Sequence, residues 1–294
     1  MEQIENAEKL NESSLEYYFD QEREINLFYR VIKGSQNNFL ELIYQAFPEL
    51  TDLHKEQENL SEKEMKSKIR EVLLNFRGKY ADNIVKMEDY IKSEVPKIKE
   101  GINCLEDLMG EEEHYKYLVM PSVFPVCPFD AKINLFYFTI TGVNKGFTWN
   151  DRISSTTLHE ISHFIFFRQL EKIEHNLSYI GVHHLKEVLT PVLLQHPDIL
   201  KYRQGKYICG NRESVEYQVE IDGKVTSIFY YVNSKFQENP TKEGYMPFLL
   251  WLIRLFERIE PEVLKRDEIF TKNGRETFNS PTLKEEFMRP IHIG

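Results

Sequence analysis

The tract 156–167, TTLHEISHFIFF, constrains this chain more than any other. It carries His159, Glu160 and His163 in the pattern His-Glu-x-x-His. On an α-helix, residues four apart share a face one turn from each other, so both imidazoles can reach one cation. Leu158, Ile161, Phe164, Ile165, Phe166 and Phe167 make such a helix apolar almost all the way round, and a helix of that kind is buried. Burying two imidazoles and a carboxylate without partners costs about 1–3 kcal/mol for each unpaired group, and more for a bare charge. A metal ion satisfies all three. A hydrogen-bonded core network is the alternative, and a chance match to so short a pattern is another.

The bulk properties limit the partners. A chain of 294 residues with 41% apolar content can bury one large core or two smaller ones. A net charge of −10 argues against nucleic acid and against an anionic membrane surface. The first residues, MEQIENAEKLNESS, are polar and acidic with no apolar stretch, and Met246 to Ile253 is too short an apolar run to span a bilayer. Cys104, Cys127 and Cys209 are an odd, scattered set that forms no CxxC pair. A reducing cytoplasm is the expected compartment.

Taken in order, the chain reads as mostly helical, with an α+β second part. Residues 1 to about 12 are polar and expected to fray. An apolar face from Leu15 to Ile32 predicts a helix from Ser14 to Gly34, and a second is expected over 37–47, stopping before Pro48. A charged linker follows over 51–59. Ser61 with Glu64 is a capping box opening a long helix whose apolar positions run from Met65 to Ile91 and which is expected to end before Pro96. A short helix over 98–109 completes an N-terminal helical region, residues 1–112.

Residues 113–294 are expected to form the second domain. YKYLVMPSVFPVCPF suggests an irregular strand, and Ile133 to Thr141 is the strongest strand in the chain. A turn over 142–146 leads to the motif helix, with Asp151, Ser154 or Ser155 as its cap. Asp222-Gly223 signals a hairpin within 215–232, with a helix through SIFYYVNSKF as its rival. A last amphipathic helix is expected over 245–259, before a charged and indistinct tail.

Around the motif the sequence resembles the zincin metallopeptidases, whose extended pattern asks for uncharged flanking residues. Thr157, Leu158, Ile161, Ser162, Phe164 and Ile165 fit it. The metzincin subclass is excluded, because Phe166 and Gln169 stand where its Gly and His should be. The gluzincins, of which thermolysin is typical, take their third ligand from a Glu on a second helix. The resemblance therefore points to Glu187, in VHHLKEVLTPVLLQ. His183 and His184 are rivals, His175 reads as a loop residue, and Lys186 beside Glu187 would suit a solvated carboxylate instead. One departure is clear: thermolysin-like enzymes place an Asp four residues after that Glu to orient a ligand imidazole, and Pro191 stands there.

The resemblance implies a zincin-like catalytic domain with a small sheet, built round the motif helix. It implies Zn²⁺ on His159, His163 and Glu187, Glu160 as general base, and a peptide or protein substrate. Its strand before the motif would pair with an extended substrate, and Ile133 to Thr141 is assigned that role, with an internal strand as the alternative. The oxyanion donor would be a Tyr or His, for which His183, Tyr179, Tyr207 and Tyr230 are candidates. Two further readings stay open: a catalytically inactive zincin-like binding protein, and a metallohydrolase of a non-peptide amide.

Overall fold

Ser61 accepts a hydrogen bond from the Glu64 amide at 3.3 Å, and the Glu64 carboxylate accepts one from the Ser61 amide at 2.9 Å. The capping box thus forms as the spacing requires and starts a helix over Glu62–Lys79. This computed structural model describes residues 9–34, 37–56, 58–140, 153–203 and 211–293. The fold is mostly helical with small sheets, α+β. The chain divides into two compact units, one of residues 1–99 and 114–153, the other of 100–113 and 154–294. The sequence division at 112/113 is one of composition; in space, residues 114–153 group with the N-terminal helices.

The first unit contains β1 (Lys9–Leu10), β2 (Ser14–Tyr17), α1 (Gln21–Gly34), α2 (Asn37–Ala46), α3 (Thr51–Glu56), α4 (Glu62–Lys79) and the start of α5 (Ala81–Leu108). It adds β3 (His114–Ser122), β4 (Phe129–Asp130) and β5 (Leu135–Thr139). Four expectations are corrected here. Residues 14–17 form a strand parallel to β3 rather than the first turn of a helix, because a long-range pairing supersedes the local pattern. The charged stretch from Thr51 is helix α3, which buries Leu53. The long helix breaks at Tyr80, and Pro96, expected to end it, lies inside α5. The apolar stripe continues across that proline through Ile91, Ile98 and Ile102, all fully buried, and this packing outweighs one missing helical hydrogen bond.

The sheet of this unit has the order β1-β3-β5-β4, with β2 also on β3. β5 pairs in parallel with β3 from Leu118↔Leu135 to Ser122↔Thr139. Its other edge is taken by β4, and the Tyr137 amide donates to the Pro128 carbonyl at 2.8 Å. Over Leu135 to Tyr137 it is therefore an internal strand, with no free edge for a peptide. Glu24 is fully buried, yet its carboxylate accepts a forked pair from Arg77 at 2.9–3.1 Å and bonds from Ser122 Oγ and the Val123 amide at 2.8 Å each. A buried charge needs such full pairing.

The second unit runs from the end of α5 through α6 (Ile153–Leu170), α7 (Tyr179–Leu193), α8 (Pro197–Leu200) and α9 (Arg212–Val215). β6 (Gln218–Ile221), β7 (Lys224–Ser227), α10 (Ile228–Phe236), α11 (Lys242–Asn273), α12 (Glu276–Asn279), α13 (Pro281–Phe287) and β8 (Ile291–His292) complete it. The hairpin and its helical rival both form. Asp222 and Gly223 take φ of 51° and 74°, the left-handed pair that a tight hairpin turn needs, and Ser227 then caps α10 by accepting from the Tyr230 amide. β8 adds in parallel to β6. The final helix is longer than expected and runs through both Pro247 and Pro261. The tail beyond it is ordered into α12, α13 and β8, held by Arg266, whose guanidinium donates to the carbonyls of Phe287 and Arg289. Ser154 and Ser155 lie inside α6 rather than capping it. The turn expected at 142–146 and the possible cap Asp151 fall outside the described residues.

The start of α7 is fixed by a close approach to α11. Ser178 caps the helix through the Gly181 amide, and Glu260 accepts from the Ser178 amide at 2.7 Å and its hydroxyl at 2.8 Å. A Cβ on Gly181 would run into the Glu260 carboxylate. Gly181→Ala is expected to push the Glu260 carboxylate away from Ser178, a loss of about 0.5–1.5 kcal/mol because those bonds are exposed, partly offset by alanine's better helix propensity. Urea denaturation checks this through a lower midpoint. No helix among the described residues is long and apolar enough to cross a membrane.

Candidate metal centre

α6 and α7 carry all the side chains that meet at the candidate site. α6 is buried almost throughout, as its all-round apolar composition requires, and α7 is buried from His184 to Leu193. His159, His163 and Glu187 each offer one ligating atom, and these atoms lie within 4.8 Å of one another. The two imidazole rings stand 4.5 Å apart at 76°. His159 Nε2 is 3.7 Å from Glu187 Oε2, and His163 Nε2 is 3.4 Å from Glu187 Oε1.

Both separations, one to each carboxylate oxygen, are on the scale of ligand atoms gathered round one cation. With metal–ligand bonds of about 2.0–2.2 Å, neighbouring ligand atoms lie roughly 3.4 Å apart. The donor set, two imidazoles and one carboxylate, is the kind that binds zinc and leaves a position open. Residues present and group implied therefore fit.

Two residues outside the predicted set complete the surroundings. Lys186 is buried, and its ammonium donates to Glu187 Oε1 and, at 3.2 Å, to His163 Nε2. It supplies positive charge to the same two atoms that would face a metal. Thr190 Oγ1 meets His163 Nδ1 at 3.1 Å, the position on the ring that Pro191 cannot serve. Glu187 Oε2 also accepts from the Asn211 amide at 3.4 Å, at the start of α9. Among the described residues His159 Nδ1 is buried with no hydrogen-bond partner.

Burial dominates the electrostatics. It pushes the His159 imidazole down to about 4, Glu187 partly opposing and Lys186 adding. It holds His163 well below the usual range, with Lys186 and His159 acting in the same direction. Both rings are therefore neutral near neutral pH, as metal ligands must be. Burial also acts to raise Glu187, but the Lys186 ammonium beside it holds that carboxyl well below the usual range. Glu160 is buried, and desolvation lifts it to about 8, with Lys186 lowering it and Glu187 raising it.

The rivals lie elsewhere. His184 Nε2 pairs with Asp267 on α11 at 3.2 Å, and neither His183 nor His184 joins the convergent group. His175 accepts from the Leu177 amide in the loop between α6 and α7. Gln169 is committed to the Met109 carbonyl and the Tyr245 hydroxyl. Tyr179 is 88% exposed and Tyr230 62% exposed, so both side chains point to solvent, and Tyr207 falls outside the described residues.

No family model, no curated protein and no solved structure matches this chain.

The sequence held signals for the residues that were missed. Lys186 sits between Leu185 and Val188 on a helix with little polar surface, so it had nowhere to be solvated. Thr190 is three places after Glu187 and four after Lys186, which puts it on their face of the helix.

Proposed function

We propose that this protein is a zinc-dependent hydrolase of peptide bonds, with His159, His163 and Glu187 as the metal ligands and Glu160 as the general base. The convergence of two neutral imidazoles from α6 and one ionised carboxylate from α7 on a single point inside a buried helix pair carries the reading. A zinc ion held there would supply Lewis acidity and would lower the pKa of a water it binds toward about 7. Glu160, one residue from a ligand, accepts the proton of the attacking water and hands it to the leaving nitrogen. In the metal-free chain burial raises its affinity for a proton, which favours holding that proton in transit. Lys186 offers an ammonium donor beside the ligand atoms, where negative charge grows on the substrate oxygen. The zincin resemblance supplies the reaction class, and a peptide or protein supplies the substrate. The net charge of −10 and the lack of a spanning helix among the described residues support a reading with neither nucleic acid nor membrane as partner, in the cytoplasm.

A second reading has one observation in its favour. Because Lys186 already neutralises Glu187 and donates to His163, the cluster can stand without a metal, as the core of an inactive zincin-like binding protein. Elemental analysis separates the two. The hydrolase reading expects about one zinc per chain, the stoichiometry of a mononuclear site, and cleavage of a peptide library that a chelator stops and added zinc restores. A chain purified with no metal, which binds none on titration and cleaves nothing, would leave the binding-protein reading.

A further inference from the structure

Three polar contacts behind His163 fix where its proton sits. Ser162 Oγ lies 2.7 Å from the His159 carbonyl oxygen, Thr190 Oγ1 lies 2.7 Å from Ser162 Oγ, and His163 Nδ1 lies 3.1 Å from Thr190 Oγ1. Each contact needs one proton, and only three are on offer: one from each hydroxyl and one from the ring. The His159 carbonyl can only accept, so Ser162 must donate to it. Ser162 has then spent its hydrogen, and Thr190 must donate to Ser162. Thr190 in turn has none left for the ring, so His163 Nδ1 must donate to Thr190. No other assignment puts a proton in all three contacts.

We infer that Ser162 and Thr190 form a hydroxyl relay, anchored on the His159 backbone, that holds His163 in the Nδ1–H form and leaves Nε2 as a bare acceptor turned toward Glu187 and Lys186. The relay takes the place of the carboxylate that Pro191 excludes from α7, and it does so without adding a negative charge to a buried site. It also explains the other side of the ring. A bare Nε2 facing a carboxylate oxygen at 3.4 Å sets lone pair against lone pair, which holds only if a cation or a donor stands beside both. Lys186 is that donor in this structure. Ser162 and Thr190 are thus positioning residues, acting through His163. The relay also ties α6 to α7 at the level of the ligands, because its members come from both helices.

The inference deepens the zinc reading and rests on it for its purpose, but its first test needs no metal. The full chain is labelled with ¹⁵N-histidine and stripped of metal, and long-range ¹H–¹⁵N correlation reads the tautomer of His163. Zinc affinity is then measured by competition with a chromogenic chelator. The wild type is expected to show Nδ1–H. Thr190→Val should release His163 toward the Nε2–H form favoured by free imidazole and weaken zinc about 10- to 100-fold. Thr190→Ser should restore both. Ser162→Ala, which touches neither ring, should free the Thr190 hydroxyl to turn toward Nδ1 and so mix the two tautomers, an effect that a purely structural role for Ser162 would not produce. An Nε2–H wild type, or a Thr190→Val protein with unchanged tautomer and unchanged zinc affinity, overturns the inference. A wild type that shows Nδ1–H, loses it in Thr190→Val, but binds no zinc upholds the relay and removes the metal reading.

Discussion

Glu187→Ala is expected to abolish the proposed zinc binding and to remove a large part of the stability of the protein. The substitution removes the carboxylate among the three convergent groups and strips the buried Lys186 ammonium of its contact with that carboxylate. Breaking a buried pair by removing one partner costs about 3–5 kcal/mol, because the stranded charge stays out of water. For a domain of ordinary stability, about 5–15 kcal/mol, that is a substantial fraction. Urea unfolding of the metal-free protein would show it as a lower midpoint, and elemental analysis would show zinc far below one per chain. The double variant Lys186→Met with Glu187→Leu separates the two losses. It should recover most of the stability, since an apolar pair replaces a buried ionic one, yet remain without metal. A Glu187→Ala protein that keeps zinc at full occupancy would show that the third ligand is another group.

Glu160→Gln is expected to keep zinc and to lose cleavage by about 10²- to 10⁴-fold, the range for removing a general base. The change is nearly isosteric and touches no proposed ligand atom. Its effect on stability has a definite sign. In the folded, metal-free protein the Glu160 carboxyl titrates at about 8, whereas its ordinary value is 4.5. Between those values the unfolded chain gives up its proton and the folded chain holds it, so rising pH favours unfolding across that window. Glutamine has no proton to release. The variant should therefore unfold at an equal or higher temperature than the wild type above about pH 5, most clearly near pH 8, while its activity is gone. Thermal melts of metal-free protein at pH 5 and pH 8 check the first part and steady-state cleavage by zinc-loaded protein the second. Activity retained within a few-fold would remove Glu160 from the base role.

Much of this centre could be read before any coordinates, because helical spacing is a local property. His159 and His163 had to share a face, and Glu187 had to lie on a helix with an apolar stripe. That these groups converge was a matter of how α6 packs on α7, which no local pattern encodes. Lys186 kept a solvated Glu187 open as an alternative for a related reason. A lysine beside a glutamate looks solvated unless one knows that the helix has no solvated side. The strand at Ser14–Tyr17 was hidden because its pairing partner lies a hundred residues away, at Lys116–Val119. Proline misled in the other direction. Pro96 reads as a stop, but it removes a single amide from a helix whose apolar stripe continues on both sides.

Pro191 has its own consequence. A proline inside α7 has no amide hydrogen, so the main-chain oxygen one turn earlier goes without its usual ladder bond, and that oxygen belongs to Glu187. The residue that brings the carboxylate to the centre thus sits one ladder bond short in an otherwise closely packed rod. Small adjustments of that side chain toward an incoming ion can be taken up by the backbone there, without unseating the hydroxyls and rings fixed on either side.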